Sequence, residues 1–546
     1  MPKDHFELQA MGTDTDVSFP APNSRSGSSS DDFHLQRLGK RPLLNRSFGF
    51  MSILGFTCSV LISWEGILVT SVGGLLNGGP AGVVWGFLVN WLGTLATFAT
   101  IAELSSIAPT AGGQYHWVAT LAPAYCRNFL AYLTAWLTTA AWQVMAASTG
   151  YLLATLLQGM MVMSRPDHVP KPWHTILLMW AIMTFAVLMN SITSRTLARF
   201  EGLVFIFHIV GFFAVLIPLV YLAPHGEPSA VFTTFLNLGG WDSQTVSFFV
   251  GLPASAASLM GADSAVHMSE EIQSAATVVP QALMYTIMIN GVLAMSMLIA
   301  LLFCTADLSA ALEAQLTMFY PFLEIFRQTV KSKTGACIMA SIVLVMGIAS
   351  GVGVYASASR MLWSFSRDRG MPFHDQLTKL SKNSLPVPAI LTTLVITMLL
   401  SLIVLGSSVA FNAFISLSVA ALYSSYLLVC ILLLYRRLTG AFLQNRHSDS
   451  QLAVLDPDHL AWGPWRLPEP FGTINNLFAC VYLSLLWFWS FWPPVASPTA
   501  QTANFSGLVF GSVVLLSIAW YMFRARHSFE GPVREVELED MLPNVS

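Results

Sequence analysis

The chain has 546 residues, of which 54% are hydrophobic and only 10% are Asp, Glu, Lys or Arg. Soluble domains carry about 25% charged residues, so lipid rather than water must cover most of this protein. The formal net charge of −3 excludes the basic surface that nucleic acid binding requires. The composition therefore indicates a polytopic membrane protein.

Residues 1–48 form a polar N-terminal segment with a serine-rich run at 24–30. This segment lacks the charged-then-apolar order of a cleavable signal peptide. We predict that it is a disordered cytosolic tail, that the first transmembrane helix acts as the internal targeting signal, and that residues 524–546 form a second cytosolic tail.

Twelve apolar segments follow, each long enough for a bilayer core of ~30 Å, which needs about 20 helical residues. They are 49–74, 78–104, 128–158, 173–192, 201–222, 245–267, 281–304, 336–365, 389–406, 411–435, 473–492 and 507–523. The sequence therefore predicts an all-α membrane protein with 12 transmembrane helices.

The distribution of Lys and Arg predicts the orientation, because cytosolic loops carry an excess of both. If the N-terminus is cytosolic, the outer loops hold five of the 26 basic residues and the inner side holds the other 21. The outer five are Arg165, Lys171, Arg327, Lys331 and Lys333. We therefore expect both termini in the cytosol.

The first and sixth segments do not have the pattern of continuous helices. The first contains 63–66 (SWEG) and 71–74 (SVGG), and the sixth contains 251–255 (GLPAS) and 261–264 (GADS). Gly and Pro weaken helices, and unwound backbone persists in a membrane only inside protein or beside a wet cavity. Because small residues also allow close helix packing, packing is the alternative reading. It does not explain the acid in each break.

The two breaks are five segments apart, so the second set of five enters the membrane from the opposite side. Segments 1–5 (49–222) and 6–10 (245–435) are then predicted to be inverted repeats, with the last two helices at 473–523. A broken helix at the start of each repeat is the sequence sign of a substrate site at the membrane midplane in transporters.

Three motifs carry a family resemblance. Residues 261–271 (GADSAVHMSEE), followed by Pro280, resemble the sixth-helix signature of the amino acid–polyamine–organocation superfamily. Residues 102–117 (AELSSIAPTAGGQYHW) and 358–373 (ASRMLWSFSRDRGMPF) resemble stretches of its fungal amino acid/choline permease branch. The motifs fall in order, and the resemblance covers roughly residues 45 to 525.

The resemblance implies a leucine-transporter-type fold of ten core helices plus two. It also implies proton-coupled uptake of amino acids, γ-aminobutyrate, choline or related amines. Many superfamily members have a compact Gly-Ser-Gly turn in helix 1 that receives a substrate carboxylate. This chain has Trp64, Glu65 and Gly66 there, a departure that disfavours binding of an α-carboxylate.

Acidic and aromatic groups mark the predicted site. Glu65, near the middle of the first segment, is interpreted as the counter-ion of a substrate ammonium or as a proton carrier, with a structural hydrogen bond as the alternative. Trp64 could hold a cation by cation–π attraction or simply pack. Asp263 could bind an amine, bind a proton or cap a half-helix. His208 could relay protons or be structural.

The predicted substrate contacts lie at the two breaks and on helix 3: Trp64, Glu65, Gly66, Gly261, Ala262, Asp263, Trp142 and Gln143. The predicted proton-coupling groups are Glu65, Asp263 and His208. An inner gate of ion pairs is predicted near the cytosolic ends of helices 2, 6 and 8, with ordinary solvated helix ends as the alternative. Its members are Glu103, His267, Glu270, Glu271 and Arg360.

The sequence thus predicts a proton-coupled importer of a small nitrogenous solute at the plasma membrane, with no cofactor and no metal. Its six cysteines have neither metal-ligand spacing nor a disulfide framework. No phosphate-binding loop or nucleophile elbow indicates a nucleotide-driven pump or an enzyme. The alternatives are a transporter of a specialised alkaloid-like amine or its precursor, and a nutrient sensor that does not transport.

Overall fold

The computed structural model describes residues 31–32, 35–36, 38–165, 167–442, 460–500, 502–533 and 535, with the backbone alone over 408–415. Within those residues the regular structure is helical, apart from isolated β-bridges such as that between Phe48 and Ile272. Most of both predicted tails, at 1–30 and 536–546, lies outside the described residues.

Within the described part of the chain, twelve helices are long and apolar enough to cross a membrane, which confirms the predicted all-α membrane protein with 12 transmembrane helices. We call them spans 1 to 12. In order they are Phe50–Leu76, Gly79–Ile107, Arg127–Ser164, Pro172–Ser191, Ser194–Leu222, Gln244–His267, Ala275–Phe303, Lys333–Arg367, Val387–Gly406, Ser416–Leu438, Phe471–Trp489 and Ser506–Phe523.

Span 1 is interrupted where its first half, Phe50–Leu61, ends. Ile62 has a left-handed backbone with φ of +34°, a conformation that is rare for a β-branched residue. The backbone groups released by the break find side-chain partners. The Ser63 N–H donates to Asn290 Oδ1 at 3.2 Å, and the Ser350 hydroxyl donates to the Val60 carbonyl at 3.0 Å. Neighbouring spans 7 and 8 therefore support the break, as a hydrocarbon environment requires.

Span 6 is interrupted in the same way. Its first helix, Gln244–Ala256, tightens into a 3₁₀ turn over Ala257–Leu259 and ends, and a short helix, Ser264–His267, resumes after it. Gly261 lies in the gap with φ of +104°, a backbone conformation that Gly adopts without a steric penalty.

The two broken spans pack against each other. A Cβ added to Gly66 would lie 3.5 Å from the Ser258 Cβ, and one added to Gly73 would lie 2.9 Å from the Ala254 Cβ. Small residues at the contact let the two backbones approach closely. Span 3 packs on span 8 beside them. Spans 4, 5, 9 and 12 bury one third or less of their most apolar windows and form the outer layer that faces lipid.

One end of the bundle carries residues 38–48 and Val533, which are near the two ends of the described chain, and we call it the terminal face. Residues 38–48, which fall in the predicted disordered tail, are packed here. The Phe48 N–H donates to the Glu271 carbonyl at 3.0 Å, and Lys40 forms an ion pair with Asp368. The Val533 N–H also donates to Asp368, at 2.9 Å. Residues 38–48 are therefore ordered, because backbone hydrogen bonds and an ion pair hold them.

The opposite end is covered by two short helices between spans 7 and 8, Leu308–Met318 and Pro321–Val330. Tyr320, at their junction, places its hydroxyl 2.7 Å from Thr155 Oγ1 on span 3. The sequence predicts only an outer loop here. Side chains of the two short helices pack with Trp64 and Phe212 in one apolar cluster, so this end of the central region is closed.

Candidate functional site

A buried carboxylate–imidazole pair lies in the second half of span 1. Glu65 Oε1 is 2.9 Å from His208 Nδ1 on span 5, and both side chains are at most 1% exposed. The predicted proton-coupling residues Glu65 and His208 are therefore in direct contact. The other oxygen, Glu65 Oε2, and the other ring nitrogen, His208 Nε2, are buried without a hydrogen-bond partner.

The two unpartnered atoms leave the pair with unused capacity for hydrogen bonds. Most buried polar atoms have partners, and an unsatisfied buried acceptor costs about 1–3 kcal/mol, or more when it is charged. Glu65 Oε2 is thus an acceptor that a cationic or hydroxyl-bearing ligand would satisfy.

Trp64 holds the neighbouring turn of span 5 in place. Its indole N–H donates to the His208 carbonyl at 3.2 Å, and its ring packs 6.1 Å from the His208 ring and 6.0 Å from Phe212. These contacts give Trp64 a positioning role for His208, in addition to the cation–π role predicted from the sequence.

Asp263, in the break of span 6, belongs to a second network. Oδ2 accepts a hydrogen bond from Gln114 Nε2 at 2.7 Å, and Oδ1 accepts one from the Tyr426 hydroxyl at 2.5 Å. His267 Nε2 lies 3.4 Å from Oδ2, while its Nδ1–H donates to the Ala111 carbonyl at 2.9 Å. Asp263 therefore joins the span 6 break to span 10 and to the segment after span 2.

The networks of Glu65 and Asp263 share no partner, although the helix breaks that carry them are in contact. Asp263 is the N-cap residue of Ser264–His267, yet its side chain makes no capping hydrogen bond. Its two oxygens already accept from Gln114 and Tyr426. In this closed conformation Asp263 has less capacity for a substrate amine than Glu65.

Span 3 contributes the predicted pocket walls. The Trp142 ring meets the His267 ring edge-on at 5.4 Å, and a Cβ added to Gly261 would lie 3.9 Å from Trp142. Gln143 donates to the Ala358 carbonyl at 3.3 Å and to Thr393 Oγ1 at 3.2 Å. Trp142 thus borders the span 6 break, next to Gly261 and Ala262, whereas Gln143 links span 3 to spans 8 and 9.

Further unpartnered polar atoms lie on the same spans. Each belongs to a side chain of span 1, 3, 6 or 8 and is buried without a hydrogen-bond partner: Ser63 Oγ, Thr138 Oγ1, Trp142 Nε1, Gln143 Oε1, Ser264 Oγ and Tyr355 OH. Buried polar groups are normally satisfied by protein or by ordered water. These atoms are buried hydrogen-bonding groups that a polar ligand or water would satisfy.

The terminal face holds the acids that were predicted to form a gate. Glu271 is paired with Arg360, with Arg360 Nε 2.9 Å from Oε1, and Glu270 is paired with Arg367 at 2.8 Å. These ion pairs are almost fully buried, so they are not ordinary solvated helix ends.

Glu103 and His267 lie apart from these pairs. Glu103 forms an ion pair with Arg437 of span 10 and accepts from the Leu467 N–H at 2.9 Å. His267 contacts Asp263 instead of a gate residue. The structure therefore joins two of the five predicted gate residues, Glu271 and Arg360, to each other, and places the rest in neighbouring networks.

Sequence reasoning missed several polar partners. Those on the terminal face are Lys40, Tyr115, Arg367, Asp368, Arg437 and Glu535, and those near the breaks are Gln114, Glu201 and Tyr426. Arg367 and Asp368 stand inside the quoted 358–373 motif, so charges at the end of an apolar span were an available signal. Tyr426 lies in an apolar run without such a signal.

The two networks contain carboxyl, imidazole, amide and phenol groups. Among the described residues, no group of three or more His, Cys, Asp or Glu side chains could hold a metal ion. The carboxyl groups of Glu65 and Asp263 lie against His208 and against Gln114 and Tyr426, respectively.

Comparison with known proteins finds similarity to permeases and transporters over most of the chain. The profile of the amino acid permease family matches residues 48–514. A choline transporter of Saccharomyces cerevisiae is 30% identical over 492 residues, which cover 89% of this chain and 83% of the relative. The amino-acid permease BAT1 of Arabidopsis thaliana is 27% identical over 96% of this chain and 100% of its own length. Amino-acid permease 2 of Neurospora crassa is 24% identical over 96% of this chain and 94% of its own length.

Proposed function

This chain is a member of the amino acid permease family, a transporter rather than an enzyme, and from that premise we propose that it is a proton-coupled importer of a small cationic amine at the plasma membrane. Choline is the first candidate substrate, since the choline transporter named above is similar over most of both chains. Other amines and amino acids with a free cationic group form the rest of the candidate class.

The observation that carries this proposal is the free oxygen of Glu65. Glu65 is 1% exposed, its Oε1 faces His208, and its Oε2 has no partner. A buried carboxylate is costly unless it is paired. A substrate cation beside Oε2 would provide the missing charge, and the unpartnered polar atoms of spans 1, 3, 6 and 8 would contact the rest of a small polar solute.

The same residues favour a cation over a free α-carboxylate. Glu65 stands where a carboxylate-binding superfamily member has a small turn residue, and a second carboxylate beside it would be repelled. A quaternary amine or an ammonium group suits this site, as does a solute whose carboxylate lies far from its amine.

We further propose that the terminal face is cytosolic and that spans 1–5 and 6–10 are inverted repeats. The 21-to-5 division of basic residues supports the orientation, and the break in the first span of each set supports the repeat. The ion pairs Glu271–Arg360 and Glu270–Arg367 then form the inner gate that must separate before substrate reaches the cytosol.

The test is uptake of radiolabelled choline, amino acids, γ-aminobutyrate and polyamines by cells that lack their own carriers for them. We expect saturable uptake of a cationic amine that rises as the outside pH falls from about 7 to 5, where acidic groups and His titrate. Loss of uptake when an ionophore collapses the proton gradient is also expected. Sodium-dependent uptake that ignores the proton gradient would refute the coupling, and transport restricted to uncharged solutes would refute the role of Glu65.

A further inference from the structure

A third acid lies inside the membrane domain, apart from both networks described above. Glu201 is two turns into span 5 and is 0% exposed. It sits where span 5 meets the first half of span 1 and span 8. A Cβ added to Gly55 would lie 2.8 Å from the Glu201 carbonyl oxygen, and one added to Gly353 would lie 3.6 Å from Oε1. Two glycines therefore let three helices close around this carboxyl group.

The hydrogen bonds of Glu201 favour its protonated form. Oε2 is 2.5 Å from the Ser59 hydroxyl oxygen, and that hydroxyl is also 2.9 Å from the Phe56 carbonyl oxygen. A serine hydroxyl has one hydrogen to donate. With an ionised Glu201, the carboxylate and the carbonyl compete for that hydrogen. With a protonated Glu201, Oε2–H donates to Ser59 and Ser59 donates to Phe56, so both contacts are hydrogen bonds.

Among the residues that the structure describes, no Lys, Arg or His forms a hydrogen bond or ion pair with Glu201. Oε1 has no hydrogen-bond partner, and Ser59 is the partner of Oε2. Span 5 packs against spans 1, 4, 7 and 8 and against the short helix Pro321–Val330. The titratable and charged side chains of these elements form no hydrogen bond or ion pair with Glu201. They are Cys58 and Glu65 of span 1, His174 of span 4, Tyr285 of span 7, Glu324 and Arg327 of Pro321–Val330, Lys333, Cys337, Tyr355, Arg360 and Arg367 of span 8, and Arg195, Arg199, His208 and Tyr221 of span 5 itself.

We propose that Glu201 is the residue that binds the coupling proton, and that it holds this proton while the first half of span 1 is closed against span 5. The inference rests on the proposed proton-coupled import. Ser59 and Gly55 both lie on that half-helix. When it moves away from spans 5 and 8, it no longer covers Glu201. Water then reaches the carboxyl group, Oε2–H transfers its proton to water, and the carboxylate is solvated.

This proposal assigns different tasks to the buried acids. Glu65, on the second half of span 1, meets the substrate cation, while Glu201 responds to movement of the first half, which ends at Leu61. Ser59 lies three residues before the break at Ile62, so the hydrogen bond joins Glu201 to the part of span 1 that the break frees to move.

The test uses the full chain reconstituted into lipid vesicles, with the membrane potential clamped at zero and radiolabelled choline as the probe. For Glu201→Gln we expect complete loss of accumulation driven by an inward proton gradient, and loss of acid stimulation. Exchange of inside for outside choline without a gradient should persist. Glu313→Gln, the same change at an exposed acid of Leu308–Met318, is the matched control and should behave as the unmodified protein does.

The outcomes separate this inference from the proposed function. If the unmodified protein shows no proton-driven accumulation of choline or of any other cationic amine in the uptake panel, both are overturned. If it accumulates choline and Glu201→Gln does so equally well, with the same pH profile, Glu201 alone is excluded.

If Glu201→Gln cannot be reconstituted, Ser59→Ala tests the proposal instead, because this change keeps the acid and removes its hydrogen-bond partner. We expect choline accumulation to persist, but the pH at which it is half-maximal should shift. An unchanged midpoint in Ser59→Ala would overturn the assignment.

Discussion

The terminal face and the centre of the membrane domain both bury acids, but only the terminal face supplies a cation for each. Glu270, Glu271 and Glu103 are paired with Arg367, Arg360 and Arg437. By contrast, no Lys or Arg among the described residues forms an ion pair with Glu65 or Glu201, whose hydrogen-bond partners are His208 and Ser59.

The difference separates two uses of a buried charge. A buried ion pair that keeps both partners fixes the position of the helices that carry it, and loss of one partner is strongly destabilising. A buried carboxylate without a cationic partner can accept a cation or a proton, and its free energy changes when that ligand binds. We therefore assign closure of the bundle to the terminal face and binding of substrate and proton to the centre.

Breaking a pair of the terminal face should have the largest effect. Arg360→Ala leaves Glu271 buried without its cation, and removal of one partner of a buried pair costs about 3–5 kcal/mol. We expect a large fall in the melting temperature of the purified protein and in its surface abundance. A melting temperature equal to that of the unmodified protein would mean that these pairs do not hold the face together.

The next effect concerns the partner of Glu65. His208→Phe keeps a ring of similar shape but removes the nitrogen that faces Glu65 Oε1, and an unsatisfied buried acceptor costs about 1–3 kcal/mol. We expect a moderate fall in melting temperature, partly restored in His208→Gln, whose amide can donate to Glu65. Equal melting temperatures for the Phe and Gln variants would show that the hydrogen bond to Glu65 contributes nothing.

A smaller loss of folding stability is expected at acid pH, from a buried histidine of the terminal face. His116 lies in the short helix Gln114–Leu121 between spans 2 and 3. Burial, reinforced by the nearby Lys40 charge, lowers the pKa of His116 to about 4, below the usual 6.5.

Because the folded-state pKa of His116 is the lower one, its contribution to stability is complete above pH 6.5 and is lost as the pH falls toward 4. At pH 5.5, one unit below the usual pKa, the free energy of unfolding is lower by about 1.4 kcal/mol, since one pKa unit is worth about 1.36 kcal/mol. The melting temperature of the purified protein should therefore be lower at pH 5.5 than at pH 7.5, and the difference should be smaller in His116→Gln. A variant with the same pH dependence as the unmodified protein would exclude His116 as a source.

The smallest effect is expected for an ion pair outside the membrane domain. Arg327 and Glu324 lie on Pro321–Val330, and the arginine side chain is 47% exposed. Exposed pairs are worth about 0.2–1 kcal/mol. In Arg327→Ala, Gln328 still donates to Glu324, so the melting temperature should change little. A fall as large as that of Arg360→Ala would remove the distinction between buried and exposed pairs.

Hydropathy was sufficient to predict the number of spans and most of their positions, because each must cover the same apolar thickness. The predicted segment 389–406 and the observed Val387–Gly406 differ by two residues at one end. The Gly, Pro and acidic residues of the first and sixth segments also predicted that those helices break. In span 1 the break lies at Ile62, just before the predicted 63–66, and Trp64, Glu65 and Gly66 are helical.

The start of span 5 was predicted incorrectly, and the error concealed Glu201. The predicted segment began at residue 201, whereas the helix begins at Ser194. Arg195, Arg199 and Glu201 lower the local hydropathy, so a criterion based on apolar content places the boundary after them. Packing against spans 1 and 8 is what makes Glu201 an interior residue, and such packing has no local sequence signal.

The pairings of the candidate site could be predicted only in part. The sequence identified Glu65, His208 and Asp263 as polar groups inside apolar helices. It did not predict that Glu65 and His208 meet 143 positions apart, or that Asp263 accepts from Tyr426 at a separation of 163 positions. These contacts depend on how the spans are arranged around one another, which hydropathy does not encode.

The central claim is that the open carboxylate of Glu65 binds the substrate cation. Its most direct test is equilibrium binding of radiolabelled choline to purified Glu65→Gln, normalised to folded protein and compared with the unmodified chain. Loss of one charge-assisted interaction of about 1.5–3 kcal/mol predicts affinity weakened roughly 10- to 150-fold, with the melting temperature retained. Unchanged choline affinity in a folded Glu65→Gln protein would contradict the account.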